Sequence, residues 1–448
     1  MRLIDPKGRH AEMEEDGFLG LFQLLFLSVD TGKCDGSFLR LLQVRMGVFG
    51  GVWNPGTSPE KAAPMIVVSQ RNQRVVLAWT VVWILLVVLV STSAVAETVT
   101  GSALSFSSVG ILEPAYDFND EALREIRDRA GSGKAFDAFL MATLKYWEYQ
   151  ADRVDTSKQD AASEWLGLAC SSSKAEWRSD PDNDDAQFLY GICCCNRARF
   201  YVEESSWSRA YFDSREGIRV LEDLLARNPG YVDALFPLGV FEAYLSDAPL
   251  LLKPLARLLG FRGNAEDGLS RLRKAAANGV WTRIESSFYL GYYYYSIGED
   301  PNTAHAFFAE LHARYPGNPV FGYLFGRLCE LRGDTVQALE VYRSSEQRAL
   351  GLGAMDIANW SGYRAGVLLV DLGSHQEGLS MLIRVRKRIP PHAEEQEYFL
   401  RLPYEMSRAL IELDRRDDAR RYLEAVDVSW DRDTYRLAKA LLRTLPKD

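Results

Sequence analysis

The sequence lacks the short motifs that carry most enzyme and metal chemistry. No Cys-x-x-Cys pair occurs among its six cysteines, so zinc, dithiol-redox and haem-attachment sites all miss their spacing. Neither a nucleophile motif nor a glycine-rich phosphate loop is present. Histidine is scarce, five in 448 residues. His305 and His312 are about 10 Å apart along a helix, too far to share a metal, and His375 and His392 flank turns without a ligand partner. The acidic run from Asp180 to Asp185 lacks the glycine and distal glutamate of an EF-hand; it reads instead as the acid-rich start of a helix. A basic excess is missing too. With a net charge of −9, the chain has no stripe of cations for broad nucleic-acid binding. No catalytic set, metal or cofactor is therefore expected, and nucleic acid is not an expected partner.

What remains is ordinary globular composition, 47% hydrophobic and 25% charged. The run Cys193-Cys194-Cys195 is unusual. Consecutive helical residues point to different faces, so these three thiols cannot ligate one metal together. They read as small, burial-prone side chains in a tight helix contact.

The longest apolar run, VVLAWTVVWILLVVLV at 75–90, carries no charge. Arg71 and Arg74 precede it and Ala94-Val95-Ala96 follows, the layout of a secretory signal cleaved before Glu97. The run alone spans about 24 Å as a helix, short of a hydrocarbon core of about 30 Å. Adding Ser91 to Ala96 makes it long enough for an uncleaved transmembrane anchor, so cleavage is the favoured reading and anchoring the alternative. Signals sit near a start, and Met65 lies just ahead, so residues 1–64 read as a doubtful upstream extension. Should Met1 be the start, Phe18 to Val29 is a second short apolar segment and the later run an anchor. In both cases the rest of the chain is expected outside the cytoplasm, in the periplasm if the source is a Gram-negative bacterium.

Residues 97–115 are rich in Ser, Thr, Gly and Val and read as a tether. From Asp117 onward strand signals are scarce and helical spacing dominates. Ala122, Ile126 and Ala130 share a face behind Asn119 or Asp120 as N-cap; further helices are expected over Lys134 to Asp152 and near Asp160 to Cys170. Beyond Pro181 a repeat emerges. Gly291, Gly326, Gly366 and Ser407 each precede, by seven residues, Gly298, Gly333, Gly373 and Asp414. Next come the small residues Thr303 (with Ala304 adjacent), Ala338, Gly378 and Ala419, then the bulky Phe307, Tyr342, Leu382 and Leu423. Gly191 with Gly217 and Gly239 with Gly268 extend the pattern upstream, and Pro181, Pro229, Pro316 and Pro390 close units. The first small residue should let two helices approach and the second should occupy the turn. The third should pack the second helix against the next unit, and proline should stop it.

This order resembles the tetratricopeptide repeat (TPR), whose period is about 34 residues. The steps here are 35, 40 and 41 residues from Gly291 to Ser407, so turns or second helices must be longer. The resemblance covers 183–427, more than half of the chain. It implies an all-α fold, a right-handed α-solenoid of helix pairs over 183–448. The stretch Leu258 to Gly263 followed by Gly268-Leu269 is similar to a bacterial subgroup of exported repeat proteins, and faintly to the eukaryotic inclusion-clearance repeat family. An insertion from Ser246 to Arg262, interrupted by Pro254, reads as a short helix over the groove or one edge. Contact with a membrane surface through Lys253, Arg257 and Arg262 is the alternative. The segment Asp433 to Leu445, with Tyr435, Leu437, Leu441 and Leu442 on one side, suits the cap that a solenoid needs.

Three residues before each small marker stands an aromatic: Phe188, Phe236, Phe288, Tyr323, Tyr363 and Tyr404. The resemblance implies that this column lines the concave surface, where Tyr292, Tyr295, Arg327, Trp360 and Arg408 would join it, beside Glu330 and Arg401. Such anchors can grip an extended peptide or a helix. The competing reading is that the rings merely pack between adjacent first helices. The carboxylate clamp of some family members needs Lys and Asn at groove positions that here hold aromatics, Arg, Val or Ile. Capture of a chaperone C-terminus is therefore not expected. The leading expectation is a non-catalytic scaffold binding a protein partner outside the cytoplasm. The alternatives are a membrane-tethered structural component of an envelope assembly and, third, a small-ligand receptor or enzyme with the insertion as a lid.

Overall fold

The computed structural model describes residues 2–4, 10–12, 109–246, 264–389, 397–426 and 432–445. The signal or anchor at 75–96, the start of the tether and the insertion at 247–262 lie outside the described residues. A short antiparallel ladder pairs β1 (Arg2–Ile4) with β2 (His10–Glu12). Everything described from Val109 onward is helix, turn or short connection, and these described residues belong to one compact unit.

The helices are α1 (Val109–Tyr116), α2 (Asp120–Arg129), α3 (Ala135–Ala151), α4 (Thr156–Ser179), α5 (Asp184–Glu203), α6 (Trp207–Arg227), α7 (Leu235–Ser246) and α8 (Ala265–Asn278). They continue as α9 (Arg283–Ser296), α10 (Pro301–Arg314), α11 (Pro319–Leu331), α12 (Thr335–Gly351), α13 (Met355–Asp371), α14 (His375–Arg388), α15 (Glu397–Glu412), α16 (Arg416–Glu424) and α17 (Arg432–Thr444). Each packs chiefly on its neighbours in sequence, and odd-numbered first helices also touch the next first helix, as α11, α13 and α15 do. The chain is an all-α solenoid of TPR-like helix pairs.

The marker glycines do what their spacing predicts. A Cβ on Gly191 would lie 2.6 Å from Leu221, on Gly326 2.8 Å from Tyr342, and on Gly366 2.7 Å from Leu382. Each first helix thus meets the second helix of its own pair where only hydrogen fits. Gly333 and Gly373 sit in the turn with φ of 82°, and Asp414 takes the same left-handed conformation at 56°. The third small residue differs from expectation. Gly217, Gly268 and Gly378 face the carbonyls of Gly191, Gly239 and Gly366, so they seat the second helix on its own partner rather than on the next unit. In the Gly291 unit the register is Ala304 and Phe308, both fully buried, one residue beyond Thr303 and Phe307.

Asn119 caps α2 as expected, accepting from Glu121 N and Ala122 N. The helix expected near Asp160 to Cys170 is longer, running from Thr156 to Ser179. The tether reading is corrected at its end: Val109–Tyr116 is helical, and Ile111, Leu112 and Tyr116 are buried. At the C-terminus α17 is the last helix, and Tyr435, Leu441 and Leu442 pack on the core as expected, beside buried Thr434 and Ala438, whereas Leu437 is 52% exposed and lies off the packed side.

Candidate functional site: a half-buried aromatic and arginine strip

The sequence of α3, AFDAFLMATLKYWEYQA, is apolar around most of its circumference, with Asp137, Lys145 and Glu148 on the remaining side, which marks a helix largely enclosed by protein. Its partners are α4 and α5 on one side and, across the array, α11 and α13. Trp147 is the pivot, edge-on to Tyr116 (5.7 Å), Phe288 (5.2 Å) and Phe321 (5.5 Å). Phe136 meets Trp281 at 4.9 Å. Polar contacts fix the same arm about two hundred positions away in sequence. Glu113 pairs with Arg283 and Arg314, Asn318 Nδ2 donates to the Tyr116 carbonyl at 2.8 Å, and Arg348 donates to the Phe118 carbonyl at 3.2 Å. At the far end of α3 the Asp152 carboxylate accepts from Asp356 N at 3.1 Å and from Lys158 Nζ at 2.7 Å. The first-helix face from α5 to α13 is therefore partly occupied by the chain's own N-terminal helices.

Beneath that arm Arg199 and Glu203 meet its tyrosines. The Arg199 guanidinium lies over Tyr146 (4.5 Å) and Tyr289 (5.0 Å). Glu203 accepts from Tyr146 Oη at 2.7 Å and from Gln150 Nε2 at 2.8 Å. Burial is the chief reason that the Tyr146 and Tyr116 hydroxyls are held well above their usual range.

The expected aromatic column divides accordingly. Phe188 is 0% exposed against Tyr231, Phe236 is 1% exposed against Tyr289, and Tyr363 is 3% exposed beside Trp360. Their placement on an accessible groove is corrected: these three rings are core, packed between helices. Phe288 is half-buried, enclosed by Trp147, Phe308 and Phe321 and stacked on Tyr292 at 6.0 Å. Tyr292, Tyr295, Tyr323, Arg327, Trp360, Tyr404 and Arg408 retain exposure.

These seven lie on the successive first helices α9, α11, α13 and α15 and form a strip along them, within which contacts link several neighbours. Tyr292 meets Tyr295 at 6.2 Å. Tyr323 lies 6.1 Å from Trp360, whose other side is edge-on to Tyr398 at 4.9 Å. Glu330 gathers Arg327 (3.0 Å), Arg364 and the Tyr342 hydroxyl (2.8 Å). Arg408 bridges Glu405 (2.8 Å) and Asp371 (2.6 Å), and burial raises the Glu405 carboxyl. The strip thus offers flat rings and guanidinium groups oriented by carboxylates, of which Glu405 is buried and Glu330 partly so, a set of groups suited to peptide and side-chain surfaces. Arg364 and Glu405 were missed in the sequence. The only available signal was their adjacency to Tyr363 and Tyr404, and one-residue offsets on a helix do not share a face. His305 and His312 both pack on the Phe325 ring, at 5.2 and 5.3 Å.

No family model and no curated protein matches the sequence. Among solved structures, the chain is similar to the crystal structure of yeast Tom70 with a TM-score of 0.37 and 11% identity, over 95% of this chain and 79% of that one. It is similar to the human IFIT1 dimer with PPP-AAAA with a TM-score of 0.37 and 12% identity, over 76% and 83% of the two chains.

Proposed function

We propose that this protein is a non-catalytic scaffold that grips a segment of a partner protein along the strip from Tyr292 to Arg408, outside the cytoplasm. The observation that carries the reading is that the strip stays half-exposed and pre-organised by Glu330 and Glu405 while neighbouring rings are covered by α3. Rings already held by neighbours lose little side-chain freedom on binding, which favours affinity. Export rests on Arg71, Arg74, the apolar run and Ala94-Val95-Ala96. A mature chain beginning at Glu97 in an envelope fraction is the expected result of N-terminal sequencing.

The test is photo-crosslinking in cells, with a benzophenone amino acid placed in the full chain at Tyr292, Tyr323 or Tyr404. An adduct to one partner from these positions, absent when the probe replaces Phe212, is expected. Phe212 is 68% exposed on α6, a second helix, and Val336 is 66% exposed on α12. These outward apolar residues favour the second reading, a membrane-tethered structural component of an envelope assembly. Adducts from Phe212 with none from the strip would overturn strip binding in its favour.

A further inference from the structure

The three consecutive cysteines take no part in the strip, and α5 sorts them by face. The Cys195 sulfur is 2.6 Å from where a Cβ on Gly217 of α6 would sit. Cys193 is buried. Cys194 meets Cys170 of α4, with the two sulfur atoms 3.3 Å apart and both side chains buried. Among the described residues, this is the pair of thiols in direct contact. A disulfide needs about 2.05 Å, so the sulfurs must close by little more than about 1 Å, within reach of small side-chain rotations.

We propose that Cys170 and Cys194 are a disulfide-forming pair that staples α4 to α5 when the chain meets a disulfide oxidant. The oxidant class is a small-molecule disulfide such as oxidised glutathione, or the disulfide of a thiol oxidoreductase. The Cys170 thiolate attacks one oxidant sulfur, releases the other as a thiolate and leaves a mixed disulfide. Cys194, after losing its proton, attacks the Cys170 sulfur and expels the second oxidant thiolate. The protein loses two hydrogens and the oxidant becomes two thiols. The hydrogen bond with Cys194 lowers the Cys170 pKa, which suits it to attack first. Because both groups are buried, the mixed disulfide forms on the folding chain, and helix packing then drives the second step. The staple joins positions 24 residues apart on the two helices that link α3 to the repeat array.

The full chain, reduced in guanidinium, is refolded in a reduced and oxidised glutathione buffer, denatured, and labelled with maleimide-PEG. The wild type should take four labels in place of six, return to six after dithiothreitol, and yield a peptide pair joining 170 to 194. Cys170→Ala and Cys194→Ala should each stay at five labels with or without oxidant, whereas Cys193→Ala should still lose two. Labelling is done unfolded, so a variant that folds poorly is still counted. Oxidised wild type should also melt at a higher Tm than the reduced form. Six labels on refolded wild type, or a loss of two that persists in Cys170→Ala, would overturn the pairing. The buffer supplies the oxidant, so the result does not depend on whether the chain is exported.

Discussion

Asp233, buried in the turn ahead of α7, holds the junction between α8 and α9. Its carboxylate accepts from Val280 N (3.1 Å), Trp281 N (2.8 Å), Thr282 N (2.9 Å) and Thr282 Oγ1 (2.8 Å). These donors lie in the loop and at the N-cap just ahead of α9 and need a partner when buried. Asp233→Ala orphans them all and should cost roughly 2–4 kcal/mol, read as a lower urea midpoint at unchanged slope, with Asp233→Asn recovering part of the loss. Asp356 poses a different problem. Facing Asp152, Arg153 and the Tyr398 hydroxyl, its carboxyl is raised by burial from 3.8 to about 6. A folded-state pKa above the unfolded one means that the native state holds the proton more tightly. Stability from this group is therefore present below pH 3.8 and lost as pH rises to about 6. Asp356→Asn stays neutral, so its stability relative to wild type should climb across that window by up to about 3 kcal/mol. Urea titrations at several pH values would show it, and a constant difference would exclude burial of Asp356 as the cause.

At the scale of one helix, glycine matters in opposite ways according to what faces it. A Cβ on Gly268 of α8 would fall 2.4 Å from Ala243 N and 2.8 Å from the Gly239 carbonyl, backbone that cannot step aside. Gly268→Ala should lower stability by about 1–3 kcal/mol or more through forced separation of α7 and α8. Gly167, in the middle of α4, has nothing within 4 Å of its added Cβ. There alanine should stabilise by roughly 0.5–1 kcal/mol, because it limits the unfolded backbone without a clash. Thermal melts of the two variants should move in opposite directions. Equal losses would show that the helix contact tolerates a methyl group no worse than open solvent does.

For the molecule as a whole, the docking of α1 to α3 against α9, α11 and α13 makes distant segments depend on each other. Trp147→Ala removes the ring shared by Tyr116, Phe288 and Phe321 and should cost about 3–5 kcal/mol. Hydrogen exchange should then show α1 and the start of α11 losing protection together, because Asn318 both caps α11 and holds the Tyr116 carbonyl. Protection lost in α1 alone would mean that the arm is a passive attachment.

The helix pairs were legible from spacing alone. Gly326 must meet Tyr342 and Gly333 must turn within a few residues, and so short a loop leaves one way to pack. The residues that line the interior were legible as a column too, since every Phe or Tyr stands at the same offset from its glycine. Which of them reach solvent was not. Phe188, Phe236 and Tyr363 occupy the same repeat position as Tyr323 and Tyr404, yet are buried while those two are not. For Phe188 and Phe236 the difference arises from neighbours, Tyr231 on the first and Tyr289 on the second, and Trp147 likewise half-covers Phe288. Local sequence determines a helix pair because its contacts are closed within one unit. The covering of the first-helix face by α3, and the pairing of Cys170 with Cys194 rather than its neighbours, were decided only when separate helices came together. Contacts between distant segments carry no fixed sequence spacing.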